Sequence, residues 1–230
     1  MDGLARALGA ALRAAGADLV GCADLSQVPG AELPRGVSVA VAIAPEVVAG
    51  LSDGPTPAYR DAYHALNARL DGIVTVGARL LQARGYAARP QTTTSVVESA
   101  GYRTPLPHKT VATRAGLGWI GRCALLVTEE YGSALRLSSV VTDAPLPCAA
   151  PIGRSRCGGC RACQRACPGG AVMGAAWDVH TGREALVDVE CCRETARGRA
   201  EACIGQALTL CGKCIEVCPY TRRYLAAARR

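Results

Sequence analysis

Two runs of cysteine carry the chemistry of this chain. Cys157, Cys160, Cys163 and Cys167 stand with two, two and three residues between them, and Pro168 follows. Cys211, Cys214 and Cys218 repeat the pattern, closed by Pro219. Thiolates so spaced wrap a cubane iron–sulfur cluster, and where two such runs occur each lends its last cysteine to the other's cluster. That exchange puts Cys157, Cys160, Cys163 and Cys218 on one [4Fe–4S] cluster. Cys167, Cys211 and Cys214 then share a second, which lacks one ligand. The missing thiolate must come from Cys191, Cys192 or Cys203 between the runs. Cys191 follows a short apolar, strand-like run, Ala185 to Val189, and is the expected eighth ligand, with Cys192 and then Cys203 behind it. Paired C-x2-C units also bind zinc. The third cysteine, the x3 spacing and the two prolines fit zinc poorly.

Thirteen cysteines without a charged-then-apolar leader at Met1 to Arg6 imply metal ligation in a reducing cytoplasm rather than disulfides. No apolar stretch reaches the ~18 residues that a membrane helix needs, so no membrane partner is expected. The formal charge of +7 counts every thiol as neutral. Two oxidised clusters, each changing it by about −2, leave about +3. Phosphate contacts dominate affinity for nucleic acid, so this weak charge predicts that tRNA is not bound tightly.

The elements that must position these cysteines come in two parts, and the sequence divides near residue 148. Residues 1–148 read as an α+β layer domain and 149–230 as a small domain of the bacterial ferredoxin type. Leu4, Leu8, Ala11, Leu12 and Ala15 repeat at the helical period, and a strand follows through Ala17 to Ala23. Gly36 to Ala44 is a buried central strand by its length and β-branched content. Ala58 to Arg84 is one long amphipathic helix ended by Gly85. Tyr86 to Gln91 is a strand and Thr92 to Pro107 a loop. His108 opens a short helix that runs into Gly116, Gly118 and Gly121, glycines that allow close backbone approach to a flat or bulky group. Ala124 to Thr128 and Ser133 to Thr142 are predicted to pair as a hairpin, Leu125 and Val127 against Leu135, Leu137 and Val140.

These stretches together resemble the epoxyqueuosine reductases and their shorter relatives. The likeness is carried by Ala14 to Gly21, Tyr59 to His64, the run Ala115-Gly116-Leu117-Gly118-Trp119-Ile120-Gly121-Arg122, Leu125-Leu126, Thr142-Asp143 and the cluster cysteines. It implies a nitroreductase-like cobalamin domain ahead of the two clusters, with Gly116, Gly118, Trp119, Gly121 and Tyr63 as cofactor-binding candidates. The family's lone cysteine between the runs falls on Cys191. Two departures stand out. The family's general-acid aspartate falls on Tyr102, and its Glu-Arg pair falls on His108-Lys109. The helical-repeat tail that follows the last cysteine in full-length members has no counterpart before Arg230.

The resemblance implies an iron–sulfur oxidoreductase that passes electrons from a low-potential donor of flavodoxin or ferredoxin type, through two clusters, to cobalamin and a small-molecule or modified-base substrate. Proton delivery then falls to His108, whose ordinary titration is near pH ~6.5, with Lys109 as an anion-binding group and Tyr102 as a weaker acid. Trp119 reads as core before cofactor contact, and Cys123 as a buried small residue. Two other classes compete: a ferredoxin-type electron carrier, and a protein that reduces or hands on a corrinoid for another enzyme. Electron transfer alone would not need the first 148 residues, which favours the reductase.

Overall fold

The computed structural model describes residues 2–229. Helix α1 (Asp2–Ala14) leads into strands β1 (Leu19–Asp24) and β2 (Arg35–Ala42), then α2 (Pro45–Ala49), the long α3 (Pro57–Gln82) and β3 (Ala88–Pro90). Helix α4 (His108–Arg114) precedes three strands, β4 (Trp119–Ile120), β5 (Leu126–Val127) and β6 (Leu135–Thr142). The cysteine runs carry α5 (Ala162–Arg165), α6 (Val189–Ile204), α7 (Lys213–Glu216) and α8 (Pro219–Ala227). None of the described helices is long and apolar enough to cross a membrane.

Four strands form one sheet in the order β1-β2-β6-β3. Strands β1 and β2 pair antiparallel, Leu19 opposite Ala40, and β3 pairs antiparallel with β6, Pro90 opposite Val140. Proline has no N–H to give a ladder, and Pro90 is tolerated because β3 is an edge strand. Leu8 and Leu12 of α1 and Leu70, Ile73, Val74 and Leu81 of α3 are buried on one face, against Val37, Val39, Val41 and Val140. The opposite face holds Ala23, Leu25, Leu106, Val111, Ala115 and Val141. Neighbours Val140 and Val141 thus belong to different cores, as the period of two in a strand requires. The α+β layered first part expected from the pattern is present. Truncating Leu12, which is fully buried, to Ala would cost about 2–5 kcal/mol.

Close packing gathers the chain into two units, each discontinuous in sequence. The first holds residues 1–41, 65–118 and 136–152, and the second holds 42–64, 119–135 and 153–230. Residues 42–64 and 119–135 therefore group with the cysteine runs, whereas a linear reading assigns them to 1–148.

One expected pairing and one expected strand are not formed. Thr128 and Gly132 do close a turn through reciprocal backbone hydrogen bonds of 2.8 and 3.1 Å. Beyond it, however, β5 pairs with β4, Trp119 opposite Val127 and Ile120 opposite Leu126, while β6 joins the main sheet. The predicted pairing of Leu125 and Val127 with Leu135, Leu137 and Val140 is thereby replaced: alternation of apolar residues cannot say which strand a strand meets. Nor is Ala185 to Val189 a strand. A short 3₁₀ turn, Arg183–Ala185, leads to an isolated bridge between Val172 and Val187. Helix α6 then starts at Val189, where the Asp188 carboxylate accepts from the Cys191 N–H at 3.0 Å as N-cap. The aspartate cap at a helix start outweighs the β-branched residues beside it.

Candidate functional site

The two cysteine runs fold alike. Helices α5 and α7 each have four residues, carry Cys163 and Cys214, and are followed by Cys167-Pro168 and Cys218-Pro219. Helices this short have little stability of their own, so the loops depend on their neighbours and on bound metal. Between them lies a small, largely apolar pocket lined by the thiols of Cys167, Cys211, Cys214, Cys192 and Cys123.

Cys191, the ligand expected from sequence, is placed differently. Its thiol donates to the Gly169 carbonyl at 3.1 Å. Cys192 lines the pocket, and burial first, then the neighbouring Cys167, Cys211 and Cys191, push its thiol up. The reason is the helix: consecutive residues on α6 point about 100° apart, so only one of the two can face the pocket. Cys203 lies elsewhere, against Gly54.

A hairpin tip is inserted among the cysteines. Between β4 and β5, Gly121 N–H donates to Leu125 O at 2.8 Å, and Ala124 N–H donates to Gly121 O at 2.9 Å. Ala124 takes a left-handed backbone, φ 61°, which costs a non-glycine residue about 1–2 kcal/mol. The turn presents Arg122 and Cys123. The Arg122 guanidinium donates to Gly158 O at 2.7 Å and also to Gly174 O. Gly158 lies between Cys157 and Cys160, so a buried cation holds the first cluster loop. The backbone at Gly121 has no room to spare: a Cβ there would come within 2.9 Å of Val127 and 3.7 Å of the Cys157 sulfur.

The rest of the hairpin is fastened to α8, the helix that starts just after Cys218. Trp119 is fully buried, edge-to-face with Tyr220 at 4.9 Å and covered by the Arg156 guanidinium at 5.7 Å. Tyr131 meets Tyr224 at 5.2 Å, and Ser133 N–H donates to Thr221 Oγ1 at 3.1 Å. Trp119 Nε1 is buried without a hydrogen-bond partner. A buried N–H without an acceptor is costly, and a cluster sulfur is an acceptor that would relieve it. Two matched cysteine runs, an eighth thiol in the pocket and this orphaned donor together fit two cubanes. Among the described residues no three Cys, His, Asp or Glu side chains gather tightly enough for a single ion. The four thiolates of a cubane each bind a different iron and stand farther apart.

The other predicted residues are divided between the units. In the first unit, His108 Nδ1 is 2.9 Å from Ser139 Oγ, beside a small pocket shared with Asn67, Asp71, Thr93 and Arg136. Asp71 accepts from Thr93 N–H at 2.9 Å and from Thr93 Oγ1 at 2.5 Å, and Arg136 donates twice to Asn67 Oδ1, at 3.1 and 2.8 Å. Burial pushes His108 down to about 4, with Arg136 adding to the effect and Asp71 opposing it. Its imidazole is therefore neutral at pH 7, which removes the argument from an ordinary titration near ~6.5. Lys109 follows it on α4. Tyr102 stands at a loop tip with φ 56°, its N–H donating to Ser99 O at 3.1 Å.

Gly116 has φ 70°, and a Cβ on it would meet Ala150 O at 3.0 Å and Ala149 at 3.3 Å; Gly118 is buried. The positive φ and this close protein contact are enough to require glycine at 116. The same unit opens a pocket of about 370 Å³ lined by Glu32, Arg89, Gln91, Ser95, Thr104 and Leu106 among others. Neither Gly116 nor Gly118 lines it. In the second unit, Tyr63 packs edge-on against His64 at 5.4 Å, and Trp119 and Gly121 serve the cluster loops as described.

Residues 156–221 match the 4Fe-4S double cluster binding domain family. Over 132 residues the chain is 36% identical to an epoxyqueuosine reductase of Synechococcus sp. (strain CC9605), a stretch covering 53% of this chain and 38% of that protein. The chain is similar to the epoxyqueuosine reductases. It spans well under half the length of such curated relatives in the matched region. Two solved structures share the fold. One is an epoxyqueuosine reductase with an epoxyqueuosine-modified tRNA-Tyr stem loop, with a TM-score of 0.60, 20% identity, and 94% of this chain against 65% of that one. The other is a reductive dehalogenase whose structure suggests a mechanism for B12-dependent dehalogenation. It has a TM-score of 0.73 and 23% identity, and the match covers 97% of this chain and 33% of that one.

Sequence reasoning missed three contributors to the site. A strand reading of Ala185 to Val189 places Cys191 ahead of Cys192, whereas the Asp188 cap on α6 turns Cys192 toward the pocket. Arg122 and Cys123 carry no signal in the cysteine spacing and reach the cysteine loops only through the β4–β5 hairpin.

Proposed function

We propose that this chain is an iron–sulfur reductase that relays electrons through two [4Fe–4S] clusters to a modified-base substrate of the epoxyqueuosine type. The observation that carries this reading is the paired cysteine fold with an eighth thiol, Cys192, facing the pocket of the incomplete set. Cys157, Cys160, Cys163 and Cys218 would hold one cluster. Cys167, Cys211, Cys214 and Cys192 would hold the other. Arg122 fixes the loop of the first against its carbonyls, and the buried Trp119 indole offers an N–H and keeps water away. The low polarity of the pocket lining, with any hydrogen bonds made to cluster sulfur, would set the potentials. A donor of flavodoxin or ferredoxin type would supply the electrons.

The substrate class rests on the curated relatives' name. The expectation that tRNA is bound only weakly finds no support among the comparisons, since one similar structure holds a tRNA stem loop. A corrinoid is the electron acceptor we propose to test, on the strength of the B12-dependent structural neighbour; when bound it would supply a cobalt centre able to take and deliver electrons. Residues 1–148 are the part proposed to serve acceptor and substrate, and 149–230 the electron relay. A neutral His108 in its pocket can hold or pass the one proton on its ring, with Lys109 and Tyr102 as the remaining polar candidates.

The test is anaerobic reconstitution with iron and sulfide, followed by cobalamin titration and turnover on an epoxyqueuosine-bearing tRNA stem loop with a low-potential reductant. Turnover is the expected result. Full cluster loading and donor oxidation without turnover on the stem loop or on a small halogenated phenol would identify an electron carrier instead. An unchanged cobalamin spectrum would remove the corrinoid.

A further inference from the structure

Cys123 belongs to neither cysteine run, yet the fold brings it to the meeting point of both. It occupies the tip of the β4–β5 hairpin, next to Arg122, and the left-handed Ala124 turns the chain back immediately after it. Its side chain neighbours Cys163, from the first run, and Cys214, from the second. The Leu125 N–H is directed at the Cys123 sulfur. Of the two partners, Cys214 shares the thiol-lined pocket with Cys123, together with Cys167, Cys192 and Cys211. A positively charged side chain pinned to two carbonyls on one flank and a strained residue on the other leave this thiol little freedom to move.

We propose that Cys123 is a ninth, non-ligating thiol that donates its S–H to the Cys214 sulfur and so raises the reduction potential of the cluster held by Cys167, Cys192, Cys211 and Cys214. The inference rests on the two-cluster reading above. The argument is electrostatic. Reduction adds one negative charge to a cubane, and part of that charge resides on the ligand sulfurs. A donor dipole aimed at one of them stabilises the reduced form more than the oxidised form, most effectively where water is excluded. A thiol is a weak donor, but a bond to a thiolate is charge-assisted and stronger than its neutral counterpart. The ligand count leaves Cys123 free for this role, because Cys192 completes the second set. Because the hairpin is held by Arg122 and by the Trp119–Tyr220 contact, the donor is in place before the electron arrives and costs no rearrangement.

The test uses the reconstituted full chain with Cys123→Ala and Cys123→Ser, reading iron and sulfide content and an EPR-monitored redox titration that resolves the two clusters. Both variants should keep the wild-type iron content. In Cys123→Ala the potential of one cluster should fall while the other stays. Cys123→Ser, with an O–H donor in the same place, should restore it to the wild-type value or above. To assign the moving signal, Cys163→Ser and Cys214→Ser mark each cluster spectroscopically. A shift confined to the Cys163 cluster overturns the proposal, as do unmoved potentials in Cys123→Ala. Loss of half the iron in both variants also overturns it, since Cys123 would then be a ligand. Failure of the underlying reading looks different: the wild-type chain itself would carry four irons, or zinc.

Discussion

The cysteine module and the His108 pocket are built by opposite routes. In the module, the thiols of each run stand within a dozen residues of one another, so the spacing alone sets most of the ligand geometry. Cys192 and the β4–β5 hairpin complete it from farther along the chain. In the pocket, Asn67 and Asp71 come from α3, Arg136 and Ser138 from β6, and His108 from the start of α4. No two of those elements are adjacent in sequence. The pocket exists only if the sheet and helices are in register, and its polar groups are paired with each other before any ligand comes.

The largest test of this difference removes a thiol. Cys192→Ala should lose one cubane of two, halving the iron per chain, while Cys191→Ala keeps both. Iron analysis with EPR reads the outcome, and the reverse pattern would restore Cys191 as the eighth ligand. Because metal binding in such a module is largely folding energy, the Cys192 variant should also unfold its second unit at lower denaturant, with the first unit's transition unmoved.

Next in size is Arg122→Ala. It deletes a buried cation and leaves the carbonyls of Gly158 and Gly174 unpaired, a loss of about 2–4 kcal/mol. A lowered unfolding midpoint and faster loss of iron to a chelator are expected. Arg122→Lys cannot reach both carbonyls from one nitrogen in the same way and should recover only part of the loss. An unchanged chelation rate would show that the loop holds its shape without the arginine.

The pocket answers to pH instead of to iron. His108 in the folded chain stays neutral down to about 4, whereas in the unfolded chain it takes up a proton near ~6.5. Between those values the unfolded state binds more protons, so stability present above pH ~6.5 is lost as pH falls toward 4. The limit is on the order of 3 kcal/mol. His108→Gln keeps a partner for Ser139 and cannot titrate. Its denaturation midpoint should therefore change less between pH 7 and pH 5 than the wild type's. Parallel curves for the two proteins would mean that the ring is solvated.

The smallest effect concerns Tyr102. A bulky residue at φ 56° is strained, and Tyr102→Gly should raise the melting temperature slightly, by an amount equivalent to less than about 1 kcal/mol. A fall would show that contacts of the ring outweigh the backbone strain.

What could be read beforehand follows the same division. The spacing of Cys157 to Cys167 and of Cys211 to Cys218 announced two clusters, because ligand geometry there is a matter of a few bonds. The apolar period of α1 and α3 and the buried run of β2 were equally plain, since each is a local pattern. Pairing was not: β5 meets β4 instead of β6, and both choices satisfy the same alternation. Which of Cys191 and Cys192 faces the pocket turns on whether Asp188 caps a helix, a competition between β propensity and one side-chain hydrogen bond that the residues around Val187 leave evenly balanced. The pocket around His108 had no local signature, because three separated elements supply it. Its effect on the imidazole could not be foreseen from an isolated histidine.

The position of α8 has a consequence for how the protein is made. The hairpin of residues 119–135 relies on Tyr220, Thr221 and Tyr224, all of them in the helix that follows the last cluster cysteine. On a ribosome moving at roughly 5–20 residues per second, the hairpin waits on the order of ten seconds for that helix to be synthesised. Until then Trp119 lacks its edge-to-face partner Tyr220, and Cys218 is not yet there to complete the first cluster. Docking of the hairpin and completion of that ligand set thus fall within the same moment of translation. A chain stalled before residue 218 would expose both an apolar ribbon and an incomplete set of thiols to whatever chaperone or protease meets it first.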